Sequence, residues 1–148
     1  MARRRWGCSR KANSLAKVKR KKRKRKGHYK TGVHSSPKAG ECKYRSGWEL
    51  EYMQHLDADL TVTSYTYEQV IVAYISNVRS GKLRRYFPDF LVEYADGRKV
   101  LVEIKPKKRL DQVKVQKKLA AARQWCEEHG ATLEIVTEVE LKALGLLK

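Results

Sequence analysis

Tyr86-Phe87-Pro88-Asp89-Phe90-Leu91-Val92-Glu93-Tyr94-Ala95-Asp96-Gly97-Arg98-Lys99-Val100-Leu101-Val102-Glu103-Ile104-Lys105 is the stretch that decides how this chain folds. Apolar side chains alternate at Phe90, Val92 and Tyr94, and again at Val100, Val102 and Ile104. A strand shows the same face at every second residue, so both sets share a buried face only if the connecting loop has an odd number of residues. A three-residue loop, Ala95-Asp96-Gly97 with Gly97 in the left-handed region, meets that condition, whereas a two-residue turn would mix polar and apolar residues on both faces. Pairing then runs Tyr94 to Arg98, Val92 to Val100 and Asp89 to Glu103. The two carboxylates are thereby set opposite each other on the face turned from the main apolar core. Lys105 follows two residues along that same face.

Two carboxylates about 4 Å apart repel by about 4 kcal/mol at an effective dielectric of 20, which a sheet does not carry without compensation. A divalent cation compensates it, and carboxylate oxygens with water suit a hard ion such as Mg²⁺ or Mn²⁺. A neighbouring ammonium, Lys105, can hold an attacking water or neutralise charge developing on a phosphate.

Working outward, residues 46–57 read as a helix, with Trp48, Tyr52 and Leu56 one turn apart and Ser46 as N-cap. β-Branched and aromatic residues from Thr61 to Ile75 predict one bent strand or two short ones, and Ser76 to Lys82 a turn-rich connector. Arg84 to Tyr94 and Lys99 to Lys105 are predicted strands. Asp111 is the expected cap of a long helix with the stripe Val115, Leu119, Ala122, Cys126, closed by Gly130. A last strand over Thr132 to Thr137 and a short helix around Glu140 to Leu144 complete the chain. The order helix, three strands, helix, strand predicts an α/β fold: a mixed sheet flanked by helices. Trp48 and Trp125 are expected as core anchors, and His55 and His129, not at metal spacing, as structural residues.

The 148 residues suffice for one domain. Of 34 Lys and Arg, 15 fall in the first 30 residues, and no acidic residue precedes Glu41. Residues 1–43 are expected to be a disordered basic arm and linker, and 44–148 the folded domain. The run Lys17, Lys19, Arg20, Lys21, Lys22, Arg23, Lys24, Arg25, Lys26 fits nucleic acid, since neutralising phosphates releases counterions whatever the base sequence. Lys107, Lys108, Arg109 and Lys114, with Lys117 and Lys118, would continue a track for a DNA backbone from the site along the second helix. Cys8, Cys42 and Cys126 are too few and scattered for a disulfide framework, and Cys8, His28, His34 and Cys42 match no short zinc-chelating loop. The longest apolar run, Val70 to Ile75, is too short to span a bilayer, so no membrane partner is expected.

Pro88-Asp89, thirteen residues, then Glu103-x-Lys105 resembles the signature of the PD-(D/E)XK nuclease superfamily, whose core is that of the restriction endonucleases. Upstream, Arg45-Ser46-Gly47-Trp48-Glu49 is similar to the helical acidic motif of its phage members, the Holliday-junction-resolving endonucleases among them. Tyr44 to Pro106 is most similar to the head completion nucleases of T-even-like phages, and Arg85 to Thr137 also resembles the nuclease subunit of heteromeric transposases. The resemblance implies that Glu49, Asp89, Glu103 and the backbone carbonyl of Ile104 bind Mg²⁺ or Mn²⁺, with Lys105 as catalytic lysine. It implies a metal-dependent DNA endonuclease of phage genome processing or head completion, in the host cytoplasm or the virion. Phage head or recombination proteins, and a second copy in a homodimer, are possible partners. The competing readings are a nuclease component of a transposition or recombination system and a non-catalytic DNA-binding virion protein on a nuclease fold.

Overall fold

The computed structural model describes residues 30–148. Its elements are β1 (Gly32–Ser36), β2 (Gly40–Tyr44), α1 (Gly47–Ala58), β3 (Val62–Tyr67), β4 (Val72–Asn77), β5 (Lys82–Tyr86), β6 (Phe90–Tyr94), β7 (Lys99–Ile104), α2 (Val113–His129), β8 (Thr132–Val136) and α3 (Glu138–Ala143). The central sheet has the order β3-β6-β7-β8. Its first three strands are antiparallel, and β8, reached through α2, runs parallel to β7. The expected mixed sheet flanked by helices is what forms.

The β6–β7 register agrees with the one derived from apolar alternation. Val92 pairs with Val100 and Phe90 with Val102, the Tyr94 N–H donates to Arg98 O at 2.9 Å, and Gly97 has φ +85°. One face of the sheet, through Phe90, Val92, Val100, Val102 and Ile104, packs on Tyr52, Met53 and Leu56 of α1. The other face is covered as well. Leu101, wholly buried, packs there with Ala122 and Cys126 of α2 and with Val72, Tyr74 and Tyr86 of the β4–β5 hairpin. Every residue from Val100 to Ile104 is therefore buried, as expected of a central strand with layers on both sides. Trp48 and Trp125 pack, partly buried, at the edges of these two cores.

Four local expectations are corrected. Residues 32–43 are not linker: β1 and β2 form an antiparallel hairpin that buries Ser36 and Cys42. It is fastened to the end of α1, where Ser36 Oγ donates to Asp57 Oδ1 at 2.5 Å, His34 Nε2 lies 2.7 Å from Asp57 Oδ2, and Lys38 Nζ donates to Leu56 O at 2.8 Å. An ammonium at the carbonyl end of a helix also suits its dipole. Second, Arg84 to Tyr94 is not one strand. Pro88, which has no N–H to give a ladder, separates β5 from β6, and the two belong to different sheets. Third, Asp111 does not cap α2. A 3₁₀ turn over Lys107–Arg109 follows Pro106 and delays the helix to Val113, with Gln112 at the N-cap making no side-chain cap. Fourth, α3 begins earlier than expected, because Thr137 caps it and Glu140 closes a capping box. Ser46 and Gly130 do bound α1 and α2 as expected, Gly130 with φ +62°. The cationic run Lys17 to Lys26 lies outside the described residues.

Candidate active site

Three acidic side chains and a lysine converge on one edge of the central sheet, each placed by a different local rule. Glu49 stands in the first turn of α1, where a carboxylate meets the positive end of the helix dipole. Its Oε1 accepts from Ser46 Oγ at 2.8 Å, and its Oε2 accepts from the Arg45 N–H at 2.7 Å and the Tyr67 hydroxyl at 2.6 Å. The turn is closed from the other side too, since the Glu49 N–H donates to Ser46 Oγ at 3.2 Å.

Asp89 sits between Pro88 and the first residue of β6, and continuing the Phe90–Val102 register sets it opposite Glu103. Its Oδ2 accepts the Ile104 N–H at 2.7 Å, and its carbonyl accepts the Glu68 N–H at 2.9 Å. Glu103 is 3% exposed, unusual for an ionisable residue. Its Oε2 accepts the Tyr86 hydroxyl at 2.6 Å, and its Oε1 lies 2.5 Å from the half-buried Lys105 Nζ. Ile104 joins the site through its N–H.

Electrostatics record the crowding. Burial, and then the charge of Glu103, push the Asp89 carboxyl well above its ordinary value; the Ile104 N–H and Lys105 oppose this only in part. Burial, with Glu49 and Glu103 adding, also raises Glu68, against the opposing charge of Arg45, whose Nη2 is 2.9 Å from Glu68 Oε2. Burial chiefly, then the partnered carboxylates, hold the hydroxyls of Tyr67 and Tyr86 protonated far above the usual phenol range. Both act as donors. Lys118, with its Nζ 4.9 Å from the centre of the Tyr86 ring, is pushed down by burial first and by Lys105 and Lys114 after it, while Glu103 and Asp89 resist.

These groups border a cleft of two lobes. One, about 350 Å³, is lined by Trp48, Glu49, Asp89, Ile104, Lys105 and Lys108. The other, about 210 Å³, is reached past Lys105 and Arg109, which line both, and includes Tyr86, Glu103, Lys114 and Lys118. Lys107 is exposed on the 3₁₀ turn, its N–H donating to Glu138 Oε2 at 2.9 Å, and does not line the cleft. Among the described residues no three acidic, histidine or cysteine side chains already stand at ligand distance from a common point. Each carboxylate is instead held by protein donors. The donor set is nonetheless all oxygen, with Asp89 strained by burial and by a facing carboxylate, and it fits a hard divalent cation.

Tyr67, Glu68 and Tyr86 went unread in the sequence as site residues. Tyr67 pairs with Phe90, so recognising β3 as the neighbour of β6 would have brought it and Glu68 beside Asp89. Glu68 also carries a positive φ of +50°, uncommon outside glycine, and a conformation sequence does not announce. Tyr86 comes from another sheet and had no local signal.

Comparison with known proteins adds two findings. The family described as TnsA-like endonuclease N terminal matches residues 59–138, a span that takes in Asp89, Glu103 and Lys105 and begins beyond Glu49. The chain is also 29% identical over 124 residues to the head completion nuclease of Enterobacteria phage T4, across 69% of this chain and 82% of that relative.

Proposed function

Since the chain belongs to the TnsA-like N-terminal endonuclease family, of PD-(D/E)XK type, we propose that it is a metal-dependent DNA endonuclease with Glu49, Asp89, Glu103 and Lys105 as its catalytic set. The observation that carries this reading is the opposition of Asp89 and Glu103 across β6 and β7, with Lys105 against Glu103 and all three at one cleft. A nuclease with such an acidic edge needs positive charge to admit a phosphodiester.

In this reading Glu49, Asp89 and Glu103, with the Ile104 carbonyl, would hold Mg²⁺ or Mn²⁺. The bound ion would supply Lewis acidity toward phosphate and water. The chain does the rest. Tyr67 and Tyr86 fix the rotamers of Glu49 and Glu103 through hydroxyls that stay protonated. The Ile104 N–H fixes Asp89. Lys105 turns its ammonium to the cleft, where negative charge grows on the phosphoryl oxygens as water adds and the P–O bond to the leaving strand breaks. Lys108 and Arg109 at the rim, with Lys107 and Lys114 beside them and Lys17, Lys19, Arg20, Lys21, Lys22, Arg23, Lys24, Arg25 and Lys26 in the arm, hold flanking phosphates.

The similarity to a phage head completion nuclease supports a role in phage genome processing or head completion, with head or recombination proteins as partners. Action in the host cytoplasm or the virion accords with that role. Among the described residues no helix is long and apolar enough to cross a membrane. The test is incubation of the full chain with supercoiled, linear and four-way-junction DNA, with Mg²⁺ or with chelator. Cutting or nicking that requires the ion is expected; the absence of cutting in both Mg²⁺ and Mn²⁺, or cutting indifferent to chelator, would overturn the reading.

A further inference from the structure

A third concavity, about 580 Å³, lies between the β4–β5 hairpin and the start of α2. Its lining includes Lys82, Arg84, Lys114 and Lys117, together with Ser76 and Asn77, and no acidic residue. The topology explains the concentration of charge. Arg84 pairs with Tyr74, which is buried against α2, so Arg84 faces the helix and not the outer side of the hairpin. The outer side carries instead the exposed Ile75 and Leu83, which pair with each other. Lys117 Nζ donates to Ser76 O at 3.0 Å and pins the hairpin to α2, which fixes the width of the groove.

The groove adjoins the candidate active site. Lys114 lines both it and the lobe that holds Glu103; Lys105 and Arg109 in turn line both lobes of the cleft. A chain of cations contributed by β5, α2 and the turn after β7 therefore leads from the hairpin to the catalytic edge. A row of like charges along linked concavities is matched by a polyanion, which gains affinity from each phosphate it neutralises, and not by a single small anion.

We propose that the β4–β5 hairpin is part of the DNA-binding surface, with Lys82 and Arg84 contacting backbone phosphates of a substrate whose scissile bond lies in the Glu49–Asp89–Glu103 cleft. The inference rests on the nuclease reading for the position of the scissile bond, but not for the binding itself. The contacts are to phosphate and carry no base sequence.

The test measures binding of a fluorescein-labelled duplex oligonucleotide, in chelator, by the full chain and by Lys82→Ala/Arg84→Ala at several salt concentrations. Both positions are exposed, and thermal melting confirms that the variant is folded. The slope of log affinity against log salt should fall in magnitude by about 2, or about 0.9 for each phosphate that is no longer neutralised. Arg98→Ala/Lys99→Ala, at the far end of β7, should leave it unchanged. A Lys82→Ala/Arg84→Ala slope within about half a unit of the unaltered chain would overturn the proposal. Failure of the chain to cut DNA in Mg²⁺, alongside the expected flattening of the slope, would sink the nuclease reading and leave the binding surface standing.

Discussion

Tyr86 on β5 donates its hydroxyl to Glu103 Oε2 at 2.6 Å, so a strand outside the central sheet holds a carboxylate inside it. That bond joins the second core to the candidate active site, because the Tyr86 ring packs with Leu101, Ala122 and Cys126.

Tyr86→Phe keeps the ring and removes the hydroxyl. A hydrogen bond to a charged group contributes about 1.5–3 kcal/mol, so the variant should unfold at lower temperature. With Glu103 free to turn, affinity for Mn²⁺ should fall by about 10–100-fold, as for other partners that orient a ligand. Calorimetric titration and thermal melting check both; unchanged affinity would mean that Lys105 alone suffices to orient Glu103.

Lys105→Ala should lose turnover while keeping affinity for Mg²⁺ or Mn²⁺ within a few-fold. The ammonium is a charge partner of Glu103 at 2.5 Å and donates no electron pair to an ion. Calorimetry beside a cleavage assay separates the two effects. Collapse of both together would recast Lys105 as an organiser of the carboxylates.

Asp89 gives the metal-free protein a pH dependence of known sign. Its folded pKa is raised above the ordinary 3.8, so between those values the folded state binds more protons than the unfolded one. Its contribution therefore makes the protein more stable as pH falls from the folded pKa towards 3.8. Asp89→Asn, which retains an oxygen for the Ile104 N–H, should melt higher than the unaltered chain at neutral pH without metal and lose this component of the dependence. Added Mg²⁺ should raise the melting temperature of the unaltered chain only. Melting curves across pH and metal concentration decide it.

Two truncations test the division between arm and fold. Deleting residues 2–30 should leave thermal stability unchanged and, with about six phosphate contacts removed, reduce the salt slope of DNA binding by about 5. Deleting residues 2–43 should in addition lower the melting temperature sharply, since it removes the Ser36 and His34 bonds to Asp57 and the buried Cys42. An unchanged salt slope after the shorter deletion would assign the arm to a protein partner.

Much of this architecture was legible because it is local. Alternation at Phe90, Val92, Val100 and Val102, with one glycine in the left-handed region, determines a hairpin register and hence the opposition of Asp89 and Glu103. Ser46 and Glu49 announce a helix start in the same way. What escaped depends on distant partners. The β1–β2 hairpin looks like linker because its stability comes from Asp57, some twenty residues on. The burial of Leu101 and Glu103 on the second face comes from α2 and from β4–β5, whose docking no alternation pattern encodes. Pro88 was visible as part of a motif, but its role as the break between two sheets was not.

The most direct measurement is the nicking rate of supercoiled plasmid in saturating Mg²⁺, taken side by side for the unaltered chain, Asp89→Asn and Glu103→Gln. Each substitution preserves shape and removes one negative charge from the shared edge. Metal-dependent nicking is expected of the unaltered chain, with a loss on the order of 10³-fold in each variant while the fold and DNA affinity are retained. Nicking at an undiminished rate by either variant would contradict the assignment of these carboxylates to catalysis.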